Sequence, residues 1–122
     1  MQGKEEKKEY YPGMFDEFKE KDNLDSWEGF PELMSALGFR MDGGESYSNF
    51  IKNSGISIKT PKSEREEKRN RLYVLEHADR QTVGNALFSF WRYLTHWNPN
   101  GYSEYDVDFL KRVIAILEEK YK

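Results

Sequence analysis

DRQTVGNALFSFWRYLTHW, residues 79–97, reads as a helix with almost no polar side. At about 100° per residue, Val83, Leu87, Phe90, Leu94 and Trp97 fall along one stripe. Phe88 and Trp91 widen that stripe on one flank, Ala86 and Tyr93 on the other. Asp79 has the chemistry of an N-cap. A helix this apolar has to be enclosed on most sides, so it is expected to form the centre of the fold over about 80–97. The alternative is that a second subunit covers part of it.

Working toward the C-terminus, Asn98-Pro99-Asn100-Gly101 is dense turn chemistry and ends the helix. Ser103 and Asp106 then have capping spacing for a last helix over about 104–121. Its apolar face is Val107, Leu110, Val113, Ile114, Leu117 and Tyr121. A connection this short makes the two helices antiparallel neighbours.

Working toward the N-terminus, Ser63 and Glu66 have capping-box spacing at the start of a charged helix over about 63–77. Only Leu72, Tyr73, Val74 and Leu75 supply it with apolar contacts. DSWEGFPELMSALGF (25–39) predicts a shorter helix, with Pro31 in its first turn and Gly38 as a left-handed C′ residue. Phe39 is then placed to pack back on Met34. Residues 42–55 suggest another short helix, and Met14, Phe15 and Phe18 an amphipathic turn or two. Phe39/Met41 and Ile56/Ile58 alternate with polar residues, enough for a minimal two-stranded β pair.

The expected architecture is therefore mainly α. It is a compact bundle of four to six helices over residues 11–122, preceded by a charged, disordered segment over 1–10.

Composition bounds the function. Among 122 residues, 19 are basic and 22 acidic, giving a net charge of −3, and no cysteine is present. Disulfides, thiolate zinc sites and thiol nucleophiles are excluded. The only locally basic run, KSEREEKRNR (62–71), is interrupted by three glutamates, so nucleic acid is not the expected partner. No apolar signal core or run of about 18 apolar residues occurs, so a cytoplasmic protein without membrane association is expected.

Several constellations could carry chemistry. Asn85, Ser89, Arg92 and His96 form the one polar line on the central helix. Such a line either meets water or lines a small pocket, with Arg92 for an anion and His96 for proton transfer. His77 with Asp79 lies at the junction before that helix, although Asp79 is already explained as a cap. The two histidines, 77 and 96, have no metal-ligand spacing.

HWNPNGYSEYDV (96–107) mimics a calcium loop, but His96 and Val107 stand where the anchoring acids belong. MDGGES (41–46) has paired glycines without a phosphate-loop lysine. Neither a metal nor a cofactor is expected.

Aromatics outside the main stripe, chiefly Trp27, Phe30, Tyr102 and Tyr105, either seal the core or mark a partner surface. With no nucleophile elbow and no assembled catalytic group, the expected function is binding another protein, as an immunity-type or antitoxin-like inhibitor or an adaptor does. A small enzyme or anion-binding domain using Arg92 and His96 is one alternative, and a homodimeric structural domain is the other.

Overall fold

The computed structural model describes residues 7–41 and 61–122. Among these residues the fold is mainly helical and contains no strand. The helices are α1 (Asp16–Lys19), α2 (Phe30–Ala36), α3 (Glu64–Glu76), α4 (Arg80–Arg92) and α5 (Glu104–Glu119), with a 3-10 turn at Leu24–Ser26. The helix expected over 42–55, the MDGGES turn beyond Met41 and the 56–58 half of the β pair lie outside the described residues. Residues 39–41, the other half, are irregular.

Local chemistry sets the helix ends. Glu66 N–H donates to Ser63 Oγ at 3.2 Å, and Thr82 N–H donates to Asp79 Oδ1 at 2.8 Å. Ser103 N–H donates to Asp106 Oδ2 at 2.9 Å, closing α5 against the preceding turn. Helix α2 starts one residue before Pro31 and ends in a Schellman motif. Gly38 sits at φ 93°, Phe39 N–H donates to the Met34 carbonyl at 2.9 Å, and Gly38 N–H donates to the Ser35 carbonyl at 3.0 Å. Only a glycine adopts that backbone without strain.

Helix α5 is the spine. It packs along α4 and α3 and receives α1, while α2 lies on α4. Because it serves two neighbours it buries two faces, and Phe109 is core (1% exposed) beside the expected Val107, Leu110, Val113, Ile114 and Leu117. Lys19 of α1 bonds Glu118 of α5 at 2.9 Å, and Lys111 pairs with Asp22 at 2.6 Å. The Lys111–Asp22 pair is exposed and contributes little to stability, mainly fixing orientation, whereas Lys19–Glu118 is part-buried.

The other half of the core is an aromatic cluster. Phe30 lies within 5.4 Å, centroid to centroid, of Phe18, Trp27 and Trp91, and meets Phe88 edge-on at 6.3 Å. Both buried indoles are satisfied by the loop that crosses them. Trp27 Nε1–H donates to the Lys21 carbonyl, and Trp91 Nε1–H to the Leu24 carbonyl. A buried indole without such an acceptor would be destabilising.

The central helix departs from its expected course at the end. Regular α-helix stops at Arg92, and Tyr93–Trp97 is a π turn in which Asn98 N–H reaches the Tyr93 carbonyl at 2.8 Å. Thr95 Oγ1–H donates to the Trp91 carbonyl at 2.8 Å, a back-bond that competes for the ladder's acceptors. The wider turn shifts the phase of everything after it. Leu94 remains buried, but Trp97, expected on the inner stripe, is 48% exposed. Tyr73 is also exposed, because α3 turns only Val74 and Leu75 fully inward.

Packing begins before residue 11. Lys8 N–H donates to the Ala36 carbonyl at 2.9 Å, and Tyr10 stacks on Tyr121 at 4.2 Å, nearly parallel. Burial raises the pKa of both phenols, and the hydrogen bond to Glu118 raises that of Lys19. The folded protein therefore holds these protons to higher pH than the unfolded chain does. Their contribution is complete below about pH 10 and is lost as pH rises through the shifted values. Urea midpoints should be flat through neutral pH and fall in the alkaline range. The fall should be shallower in Tyr10→Phe/Tyr121→Phe, and an unchanged slope would show that the stacked pair is not its source.

Candidate functional site

The polar line of α4 is not one surface. Asn85 is half-buried, and its Oδ1 accepts from Arg40 N–H at 2.8 Å and from Gln81 Nε2 at 3.0 Å. Gln81 also donates to the Gly38 carbonyl. Asn85 thus clamps the end of α2 onto α4. Ser89 is buried at 3% exposure. Arg92 is half-buried with its guanidinium 5.9 Å from the Trp97 ring, and His96 is exposed with Nδ1 2.7 Å from Thr95 Oγ1. Replacing Asn85 by alanine should cost about 1 kcal/mol, the usual net value of the hydrogen bonds removed. Equilibrium urea unfolding checks this, and an unchanged midpoint would show that the clamp is idle.

His77 and Asp79 are occupied separately. Exposed His77 lies with Nδ1 2.9 Å from the Tyr73 carbonyl and its ring packs on that of Tyr73 at 4.2 Å, tilted by 39°. Asp79 caps α4, and its hydrogen bonds from Thr82 hold its carboxyl below the ordinary range. Neither bond joins the two residues or brings them to His96. Among the described residues no group of three or more His, Asp or Glu side chains is placed to hold a metal. No helix there is long and apolar enough to cross a membrane.

The four aromatics expected either to seal the core or to mark a partner surface separate sharply. Trp27 and Phe30 are 1% and 0% exposed. They are core, the first of the two roles the sequence left open: Phe18 of α1 packs on both rings, and Trp91 of α4 packs on Phe30. Tyr102 is half-buried and donates its hydroxyl to Asn23 Oδ1 at 2.6 Å, pinning the last turn to that same loop. Tyr105 alone is open, at 52% exposure.

Tyr105 stands at the edge of a groove of about 600 Å³ between α3 and α5. Arg65, Lys68, Arg69 and Arg112 line it, against two carboxylates, Glu104 and Asp108. Lys68 is fixed there, with Nζ 2.6 Å from Asp108 and 4.7 Å from the centre of the Tyr105 ring. That hydrogen bond holds the Asp108 carboxyl below its ordinary range. Arg65, Arg69 and Arg112 are exposed, and among the described residues they make no hydrogen bond or ion pair.

This assembly was only half visible in the sequence. The spacing of Arg65, Lys68, Arg69 and Leu72 puts all four on one side of a helix, and that signal was there to read. The run reads as locally basic, but the glutamates at 64, 66 and 67 interrupt it and hide the one-sided placement of its cations. That Arg112 and Tyr105 face it across the groove depends on how α5 lies on α3.

No family model, curated protein or solved structure matches this chain.

Proposed function

We propose that this protein acts by binding another protein, as a small inhibitor or adaptor. The observation that carries the reading is the exposed ring of Tyr105, held over Lys68 at the mouth of an uncovered groove. Tyr and Arg are, with Trp, the side chains most enriched where protein interfaces concentrate their energy. The net charge of −3 and the dispersal of His77, Asp79 and His96 support binding over catalysis. A second subunit is not required to cover α4, since its apolar residues are already buried by the chain's own elements.

Photo-crosslinking tests the reading in cells. A benzophenone side chain at position 105 should give one dominant protein adduct. The same group at Tyr11, which is equally exposed, should not. Absence of any adduct at 105 under several growth conditions would overturn the proposal.

One atom favours a second reading, in which Arg92 holds an anion. Arg92 Nε is buried and has no hydrogen-bond partner among the described residues, and an unsatisfied donor on a charged group is costly to keep. The adjoining π turn is a feature often found at functional sites. Titration with phosphate or acetate should then move the Arg92 Nε–H resonance saturably, an effect lost in Arg92→Gln. A resonance indifferent to both anions would end this reading.

A further inference from the structure

The exposed arginines of the α3–α5 groove specify more than a protein partner. We propose that this groove receives an acidic segment of the partner, an inference that rests on the protein-binding reading above. Arg65, Arg69 and Arg112 bind the segment's carboxylates, while Leu72 and Tyr105 accept an apolar side chain between them.

The division of labour among the cations supports this. Lys68 is committed to Asp108 and to the Tyr105 ring, so it shapes the groove and is not available to a ligand. The three arginines are exposed, and among the described residues they make no hydrogen bond or ion pair. A guanidinium presents a planar fork that matches a carboxylate with two parallel hydrogen bonds, which a lysine cannot do. Arg65 and Arg69 are one helical turn apart on α3, and Arg112 faces them from α5. Carboxylates spaced along one peptide can therefore be met from both walls.

The same groove argues against a nucleic acid. Glu104 and Asp108 interrupt its positive lining, and a continuous phosphate backbone would have to run past both. A peptide can leave those positions uncharged. The net charge of −3 also opposes the approach of a long polyanion, whereas a short acidic segment meets mainly the local field.

The probe is a fluorescein-labelled peptide of alternating Glu and Leu, followed by fluorescence anisotropy with the full chain. A matched Lys–Leu peptide and a single-stranded oligonucleotide serve as comparisons. Saturable binding of the Glu–Leu peptide is expected, weakening by about tenfold or more for each of Arg65→Glu, Arg69→Glu and Arg112→Glu. Lys7→Glu, which makes the same charge change elsewhere, should leave binding intact. Because the three arginines are exposed, these variants should fold, and circular dichroism verifies it. In the unaltered chain the Tyr105 ring resonances should shift as the peptide is added.

Failure to saturate at millimolar protein, or equal binding by the three charge reversals, overturns the proposal. So does an oligonucleotide that binds more tightly than the peptide. A cellular adduct at position 105 without Glu–Leu binding removes the acidic chemistry and leaves the protein-binding reading standing. With no adduct, both fall.

Discussion

Phe30→Ala should be the most damaging single substitution in the described part of the chain, costing about 3–5 kcal/mol. The ring is 0% exposed and touches four others, Phe18, Trp27, Phe88 and Trp91. Removing it takes away the transfer free energy of a phenyl group. It also leaves a cavity whose walls, drawn from α1, α4 and the 21–26 loop, cannot all collapse inward together. A domain of this size has roughly 5–15 kcal/mol of stability in total, so the variant should sit near the edge of folding.

Thermal unfolding followed by near-ultraviolet circular dichroism is the direct measurement, since the aromatic signal reports this cluster. The same experiment decides what kind of residue Phe30 is. A residue that serves a partner surface would lose binding and keep its melting temperature. A melting temperature within a degree or two of the parent would show that the aromatic cluster does not hold the two halves of the fold together.

Gly84→Ala should destabilise, against the rule for glycines inside helices. An alanine in a helix interior is ordinarily favoured over glycine by about 1 kcal/mol. At position 84, however, a Cβ would stand 2.1 Å from Cδ1 and Cε1 of Phe39. Phe39 must move, and it is held from three sides. Its N–H is bonded to the Met34 carbonyl, Gly38 before it is in the left-handed region, and Arg40 after it is bonded to Asn85. Overpacking of a constrained site costs about 2–3 kcal/mol, which exceeds the propensity gain and leaves a net loss of about 1–2 kcal/mol.

Urea unfolding of the single variant fixes the sign. A double-mutant cycle with Phe39→Leu then isolates the cause, because a smaller side chain at 39 should recover part of the loss at 84. If Gly84→Ala raises the midpoint, the close approach of Phe39 to α4 is wrong. If the two losses simply add, the clash lies elsewhere.

Both predictions concern the first half of the chain docking onto α4, and there the sequence was least informative. Trp27 and Phe30 stand beside turns, as surface aromatics do, and nothing in their spacing says that α1 and the following loop close over them. The polar line had the same weakness. Asn85, Ser89, Arg92 and His96 recur at helical intervals, yet their environments range from buried to exposed. The helix does not present one face to one environment along its length. Its lower end is covered by the end of α2, and its upper end is rephased by the π turn.

What the sequence determined by itself was the set of helices and most of their ends. Ser63, Asp79, Ser103 with Asp106, and Gly38 with Phe39 act on backbone groups within a few residues, so their effect is written in local order. The apolar stripes of α4 and α5 were equally legible, because period and length suffice to define them. The tertiary structure alone decided which aromatics are core and which are open, and where the exposed charges meet. Burial depends on what crosses a residue from far along the chain: Leu24 over Trp91, Phe39 against Gly84, Lys68 beside Tyr105. The groove of Arg65, Arg69 and Arg112 exists because α5 lies against α3, and no spacing within either helix specifies that contact.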